Sequence, residues 1–296
     1  MAQDLRRHIP TVIRRLVFFA GLVFVLFPLL WLLKSSFVTN EETLIAPIQY
    51  LPRSFTLNNY LQPLLGISVT IRGEVTESPD GISPLVGYIK NGAIVAFFVV
   101  LINGFLATLT GYGFSRFRFF GRKSLLVLLL NTQMFPYIAI LVPLYVMYRT
   151  LGLLNTYTGL IIGEVGLVLP FSIWMIKSFC DTLDEDLEES ALIEGASRIR
   201  ILWNIVFPVI VPGIASVAMF SFLASWNHLL YVMVLNTRET LITVPLGLIR
   251  DYGGGYNYYY STMSAGLLIV SLPVAVVFVW LQRYFAAGLT AGALKG

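Results

Sequence analysis

From Leu16 to Leu33, between Arg15 and Lys34, the chain runs without a single Asp, Glu, Lys or Arg. A helix needs about 20 mainly apolar residues to cross the hydrocarbon core of a bilayer, so this stretch is a candidate span. Five more follow. Asn91 to Tyr112 comes after Lys90, and Leu125 to Tyr148 lies between Lys123 and Arg149. Thr158 to Ile176 contains one charge, Glu164; Ile201 to Asn236 is charge-free but punctuated by Pro208 and Pro212; Met263 to Leu281 precedes Arg283. The spacing predicts an all-α integral membrane protein of six transmembrane helices. The spans fall at about 16–33, 91–112, 125–148, 158–176, 203–226 and 263–281, within a single transmembrane domain covering 1–296. The fifth run is long enough for a span plus an interfacial entry or exit segment.

Composition supports a bilayer environment: 57% of residues are hydrophobic and 12% charged, where soluble domains carry about a quarter charged. That excludes a conventional soluble enzyme, a disordered tail protein and a nucleic-acid binder. One cysteine, Cys180, makes no internal disulfide, and with two histidines the chain has no Cys/His zinc cluster of ordinary spacing. The first span follows Arg6, Arg7, Arg14 and Arg15 but ends in Leu-Leu-Lys-Ser-Ser without a small-x-small cleavage site, so it reads as a retained helix.

Orientation follows from the basic residues. With the N-terminus in the cytoplasm, segments 1–15, 113–124, 177–200 and 282–296 are internal and hold 13 of the 20 Lys and Arg, against seven outside. Excess positive charge marks the cytoplasmic side, so both termini are expected there. The external segment from Lys34 to Lys90 is long and rich in Pro, Asn and Gly, and reads as a small ordered cap.

Catalytic motifs are missing. Phe120 to Ser124 approaches a phosphate loop but lacks its Gly-Lys pair, and neither a Gly-x-Ser-x-Gly elbow nor a His-Glu-x-x-His pair occurs. Glu164 is the one carboxylate inside a span, about 9 Å below the external end at 1.5 Å per residue. Structural and ligand or gating roles are both open to it. Asn131, Gln133, Trp226, Asn227 and His228 form a polar group within otherwise apolar runs. Of these Gln133, Trp226 and Asn227 are candidates for a substrate path, since a sugar offers hydroxyls to amides and an apolar face to an indole. Packing between helices is the alternative.

The most informative segment is the cytoplasmic loop 177–202. Thr182 and Glu185 fit a capping box, and Asp184 and Asp186 add negative charge where a helix dipole favours it. Leu183, Leu187 and Ala191 recur at four-residue spacing, giving one apolar face, and Gly195 sits where a helix stops. Interfacial helices are typically basic, so this acidic one is expected to dock into a groove on a partner. The small residues Ala191 and Gly195 would let that partner approach closely.

Glu189-Ser190-Ala191, three further residues, Gly195 and then Ile205 to Pro208 resemble the Glu-Ala-Ala loop of permease subunits of bacterial ATP-binding-cassette (ABC) importers, with Ser in place of the first Ala. Gln133-Met134-Phe135-Pro136, Trp174 to Lys177, and the ending Gly288 to Gly296 are similar to the smaller permease subunit of maltose-type sugar importers. The likeness runs from about residue 16 to the C-terminus and is weakest from Gly66 to Pro84. It implies the type I ABC importer permease fold in a bacterial cytoplasmic (inner) membrane, surrounded by membrane lipid. It further implies a second homologous permease, two ATPase subunits that bind ATP and Mg, and an extracytoplasmic sugar-binding protein. No cofactor or metal is expected on this chain, and no catalytic residue. Glu189, Ser190, Ala191, Gly195 and Pro208 would couple to the ATPase. Asp251, Gly253, Gly254, Gly255 and Tyr256 would belong to a loop reaching the binding protein, and Thr290, Lys295 and Gly296 to a tail reaching the ATPase. The rival class is an integral-membrane enzyme acting on lipid-linked substrates. It would need His, Asp or Glu clustered at one membrane face, and the few present do not cluster in the sequence.

Overall fold

In hydrocarbon each backbone N–H must find a carbonyl within its own segment, and the apolar runs accordingly wind into helices. The computed structural model describes residues 2–45, 47–65, 67–69, 75–77, 84–238, 241–253 and 259–293, without the side chains of 2–13, 67–69, 75–77, 84 and 285–293. Helix α1 (Ala2–Ser36) contains the first charge-free run. Helices α2 (Asn40–Leu44) and α3 (Asn58–Leu65) follow, then a short antiparallel pair, β1 (Ile67–Val69) and β2 (Val75–Glu77), with Ile67 opposite Glu77. Next come α4 (Pro84–Arg116), α5 (Arg122–Asn131), a 3-10 turn at Thr132–Met134, α6 (Tyr137–Thr150) and α7 (Tyr157–Asp181). The loop between membrane segments holds α8 (Glu185–Ile193) and α9 (Arg198–Ile201), which continues through a π-helical turn at Leu202–Val206 into α10 (Phe207–Val209). Helices α11 (Val211–Trp226), α12 (Leu229–Leu235), α13 (Val244–Tyr252) and α14 (Tyr260–Ala293) complete the chain.

Among the described residues α1, α4, α7 and α14 are long and apolar enough to cross a membrane, and two bent helix pairs bring the number to six when each pair is one span. The bends depart from the sequence reading. The expected third span, Leu125 to Tyr148, is broken by 96° between α5 and α6. Pro136 stands at the break, and a proline disfavours the α conformation in the residue before it; Phe135 is extended at φ −71°, ψ 131°. The fifth run bends by 79° at Ile210, between Pro208 and Pro212, which separates the entry segment from the span.

The chain gathers into two compact units. The first comprises Met1–Val86 and Leu248–Ser271. Here the end of α1 is fastened to an ordered cap: the Asn59 amide donates to the carbonyls of Ser36 (3.0 Å) and Val38 (2.7 Å). The buried Glu42 carboxylate accepts from the Arg53 and Ser54 N–H groups, 2.9 Å each, and from the Ser54 hydroxyl at 2.6 Å. Burial alone pushes the Glu42 carboxyl up, but these hydrogen bonds and the charge of Lys34 outweigh it and hold the group below the usual carboxylate value.

The second unit, Gly87–Gly247 with Leu272–Gly296, has two apolar cores. One surrounds Tyr112, Ile173, Ile176 and Cys180 near the loop that carries α8; the other surrounds Val95, Leu141, Tyr148, Val165 and Tyr231. Between helices that have only lipid to compete with, polar groups act as specific ties. Asn103 on α4 donates to Ser172 on α7 (2.8 Å) and to Ser221 on α11 (2.7 Å), all three buried.

Candidate functional site

Helix α8 begins two residues later than the sequence suggested. The Thr182 hydroxyl turns back to the Phe179 carbonyl (2.7 Å) and closes α7, so it does not cap α8. Asp184 is the cap, accepting from the Asp186 N–H at 3.2 Å, with Glu185, Asp186 and Glu188 in the first turn. At the other end Gly195 has φ +88°. Its N–H reaches the Leu192 carbonyl and the Ala196 N–H reaches Ala191, 3.0 Å each, a Schellman closure that requires a left-handed residue. Backbone conformation by itself is a sufficient reason for the glycine here.

The faces of α8 also differ from the expected stripe. Leu183 and Ala191 pack with Leu192 against the core around Tyr112 and Ile176, whereas Leu187 is 59% exposed. Between them lies a residue that reading the apolar pattern missed. Glu188 is 3% exposed, and its carboxylate takes the Arg116 Nε at 2.6 Å and the Tyr112 hydroxyl at 2.8 Å. Glu189, Ser190 and Glu194 are solvent-exposed, as is Ile193 at 88%. The outward side of α8 thus carries two exposed apolar side chains, Leu187 and Ile193, set among carboxylates, and Ile199 on α9 adds another. Such a face can accept a groove with basic margins. Pro208 lies exposed on α10, just before the 79° bend. A polar cleft of about 760 Å³ lies beside α8, lined by Arg116, Arg122, Lys177, Asp181 and Asp184 among others.

The residues assigned to a path are placed differently from one another. Gln133, in the 3-10 turn, is exposed and donates to the Leu167 carbonyl of α7 at 2.9 Å. Trp226 is buried, stacked on Phe222 with centroids 5.4 Å apart and lying against Gly92 of α4. Within this unit the indole is packed against its neighbours. Asn227 is exposed and closes α11 through a 2.8 Å bond to the Leu223 carbonyl. Next to it, Glu164 is 1% exposed, accepts from the Ser225 hydroxyl, and lies 3.5 Å from His228 Nδ1. The carboxylate thus joins α7 to the junction of α11 and α12.

Asp251 belongs to helix α13, where it pairs with Arg250 at 3.0 Å, and Gly253 follows directly. Gly254, Gly255, Tyr256, Lys295 and Gly296 lie outside the described residues, and Thr290 is described only as backbone of α14.

Comparison with known proteins assigns a family. The model of the binding-protein-dependent transport system inner membrane component matches residues 103–291, from the middle of α4 through α8 to the end of α14. The permease SmoH of the sulfoquinovosyl glycerol transport system of Agrobacterium fabrum is 32% identical, over 92% of this chain and 89% of its own. GanQ, the galactooligosaccharides transport permease of Bacillus subtilis, is 34% identical over 98% of each. In three dimensions the chain resembles a bacterial ABC transporter involved in the import of the acidic polysaccharide alginate. The TM-score is 0.77 over 94% of this chain and 97% of that one, at 20% identity, a likeness of fold. With the family's pattern extending from α4 to α14 on a fold shared with an importer subunit, this chain belongs to the inner-membrane components of binding-protein-dependent transport systems.

Proposed function

We propose that the chain is the permease subunit of an ABC importer that moves a sugar delivered by an extracytoplasmic binding protein. A second homologous permease completes the path, and two ATPase subunits hold the ATP and Mg; this chain holds no cofactor. The observation that carries the reading is the outward face of α8, where Leu187 and Ile193 stand exposed among Glu189 and Glu194 while the inward face is already occupied. A sugar is favoured because relatives similar over almost the whole length carry carbohydrate substrates by name. The path alternates between inward-open and outward-open states, biased by closure of the ATPase dimer on α8. The lipid-linked enzyme reading is not favoured by this family.

Reconstitution with the second permease and the ATPase is expected to give uptake of a labelled sugar into proteoliposomes that requires both internal ATP and the binding protein. Uptake independent of ATP would overturn the reading. Orientation is checked separately. In a Cys180→Ala background, Arg238→Cys is expected to react with an impermeant thiol reagent on intact cells, and Ser197→Cys to react only after permeabilisation. Both side chains lie in exposed loops, so accessibility reports sidedness.

A further inference from the structure

We infer that Arg116 is the positioning residue that makes α8 move as one body with the cytoplasmic end of α4, so that force applied to α8 is delivered to α4. The inference rests on the reading of α8 as the ATPase contact. Covalently, α8 is held by two short links: residues 182–184 join it to α7, and residues 194–197 join it to α9. The backbone N–H groups of these links cap the helix ends and do not reach α4. Its apolar contacts through Leu183, Ala191 and Leu192 hold it near the core, but the hydrophobic effect is non-directional and fixes orientation less strictly than directed bonds do.

The angle is set by a buried polar latch. The Arg116 side chain is 5% exposed, and its Nε lies 2.6 Å from Glu188 Oε1. Its Nη2 donates to the Leu183 carbonyl at 3.1 Å, and its Nη1 to the Ser115 hydroxyl at 3.1 Å. The other oxygen of Glu188 accepts from the Tyr112 hydroxyl at 2.8 Å. Tyr112 and Arg116 are four residues apart on α4 and therefore share a face. One carboxylate of α8 is thus gripped at two points a helical turn apart, while the same guanidinium holds the carbonyl just before α8 begins. Arg198 Nη1, at the start of α9, stands 3.8 Å from Glu188 Oε2 and extends the grip to the following helix.

An arginine suits this work because its planar fork makes several directed bonds at once. Buried ion pairs are poor sources of stability, and apolar replacements of similar volume often hold a fold as well or better; the directed geometry is what they add. Two adjacent glutamates therefore divide the labour: Glu188 grips α4, and Glu189 faces outward. From Arg116 the helix runs back to Asn103, which ties α4 to α7 and α11 through Ser172 and Ser221. A displacement of α8 thus reaches the middle of the helix packing through α4.

The test compares Arg116→Met, Glu188→Leu, the double variant and Tyr112→Phe in reconstituted complexes. Two quantities are measured: the amount of assembled complex, and sugar transported per ATP hydrolysed. A purely structural role moves only the first. Positioning predicts that each charged-residue single variant lowers sugar per ATP by about tenfold in the complexes that assemble, with Tyr112→Phe intermediate. The double variant leaves no unpaired buried charge, so it recovers normal assembly while sugar per ATP stays low. Single variants that lose complex but keep the wild-type ratio overturn the inference, as does a double variant with full coupling. An Ile193→Asp control separates the two levels. If that variant still binds the ATPase and transports normally, α8 is not the ATPase contact, whatever the Arg116 series shows.

Discussion

Ile193→Asp is expected to abolish sugar uptake while the subunit stays in the membrane at normal levels. The side chain is 88% exposed at the end of α8, so this chain has nothing to lose by its replacement. Any loss must arise at a partner that covers it. An unpaired carboxylate forced into an apolar socket costs several kcal/mol, which lowers affinity by a hundredfold or more at about 1.4 kcal/mol per decade. Uptake of labelled sugar, an immunoblot of the membrane fraction and co-purification of the ATPase measure the three parts of the expectation. Glu189→Lys is expected to act in the same direction, since breaking a hydrogen-bonded interfacial charge pair costs about 2–5 kcal/mol, and charge-reversing suppressors should map to the ATPase. Normal uptake by both variants would remove α8 from the coupling path. Ala191→Trp, by contrast, is a poor test. Ala191 packs partly on the core of its own subunit, so a tryptophan there displaces α8 before any partner meets it.

Gly163→Ala is expected to reduce the amount of folded subunit several-fold. An added Cβ at this position on α7 would overlap the hydroxyl of Tyr231 on α12 and crowd that of Tyr148 on α6. Those two hydroxyls are hydrogen-bonded to each other at 3.1 Å, and both rings are buried in the core around Val165. Overpacking of a filled core costs about 1–3 kcal/mol, and here the obstacles are rigid aromatic rings. Tyr231→Phe in the Gly163→Ala background is expected to restore part of the loss. It removes the nearest atom but leaves the ring carbon behind it. The readout is monodisperse protein recovered in mild detergent, and undiminished recovery of Gly163→Ala would show that α7 and α12 are not packed as described.

How much of this was legible in the sequence depended on the range of the interaction concerned. Runs of apolar residues are local, and transfer of a charge-free segment into hydrocarbon is decided residue by residue. The six stretches were accordingly readable from Leu16 onward, as was an acidic helix in the loop 177–202, and the family was readable from its motifs. The break at Pro136 was written in the chain, but its 96° angle was not, because a proline marks where a helix can fail and the neighbouring helices decide how far it turns.

Other assignments needed the fold. Glu188 and Glu189 are adjacent and chemically identical, and no local pattern distinguishes the buried one from the exposed one; the difference is made by Arg116, 72 positions earlier. Asn103 lies 118 positions from Ser221, and no local pattern brings Trp226 against Gly92. By itself the sequence determined the solvent in which the chain folds, the number of apolar stretches and the acidic helix, because each follows from hydrophobicity, charge or short spacing, and it carried the motifs whose resemblance pointed to the family. Only the tertiary structure decided which side of that helix faces inward, how sharply the spans bend and which polar groups meet. Those outcomes arise from pairings between residues distant in the chain, and their energies exist only once the helices have packed.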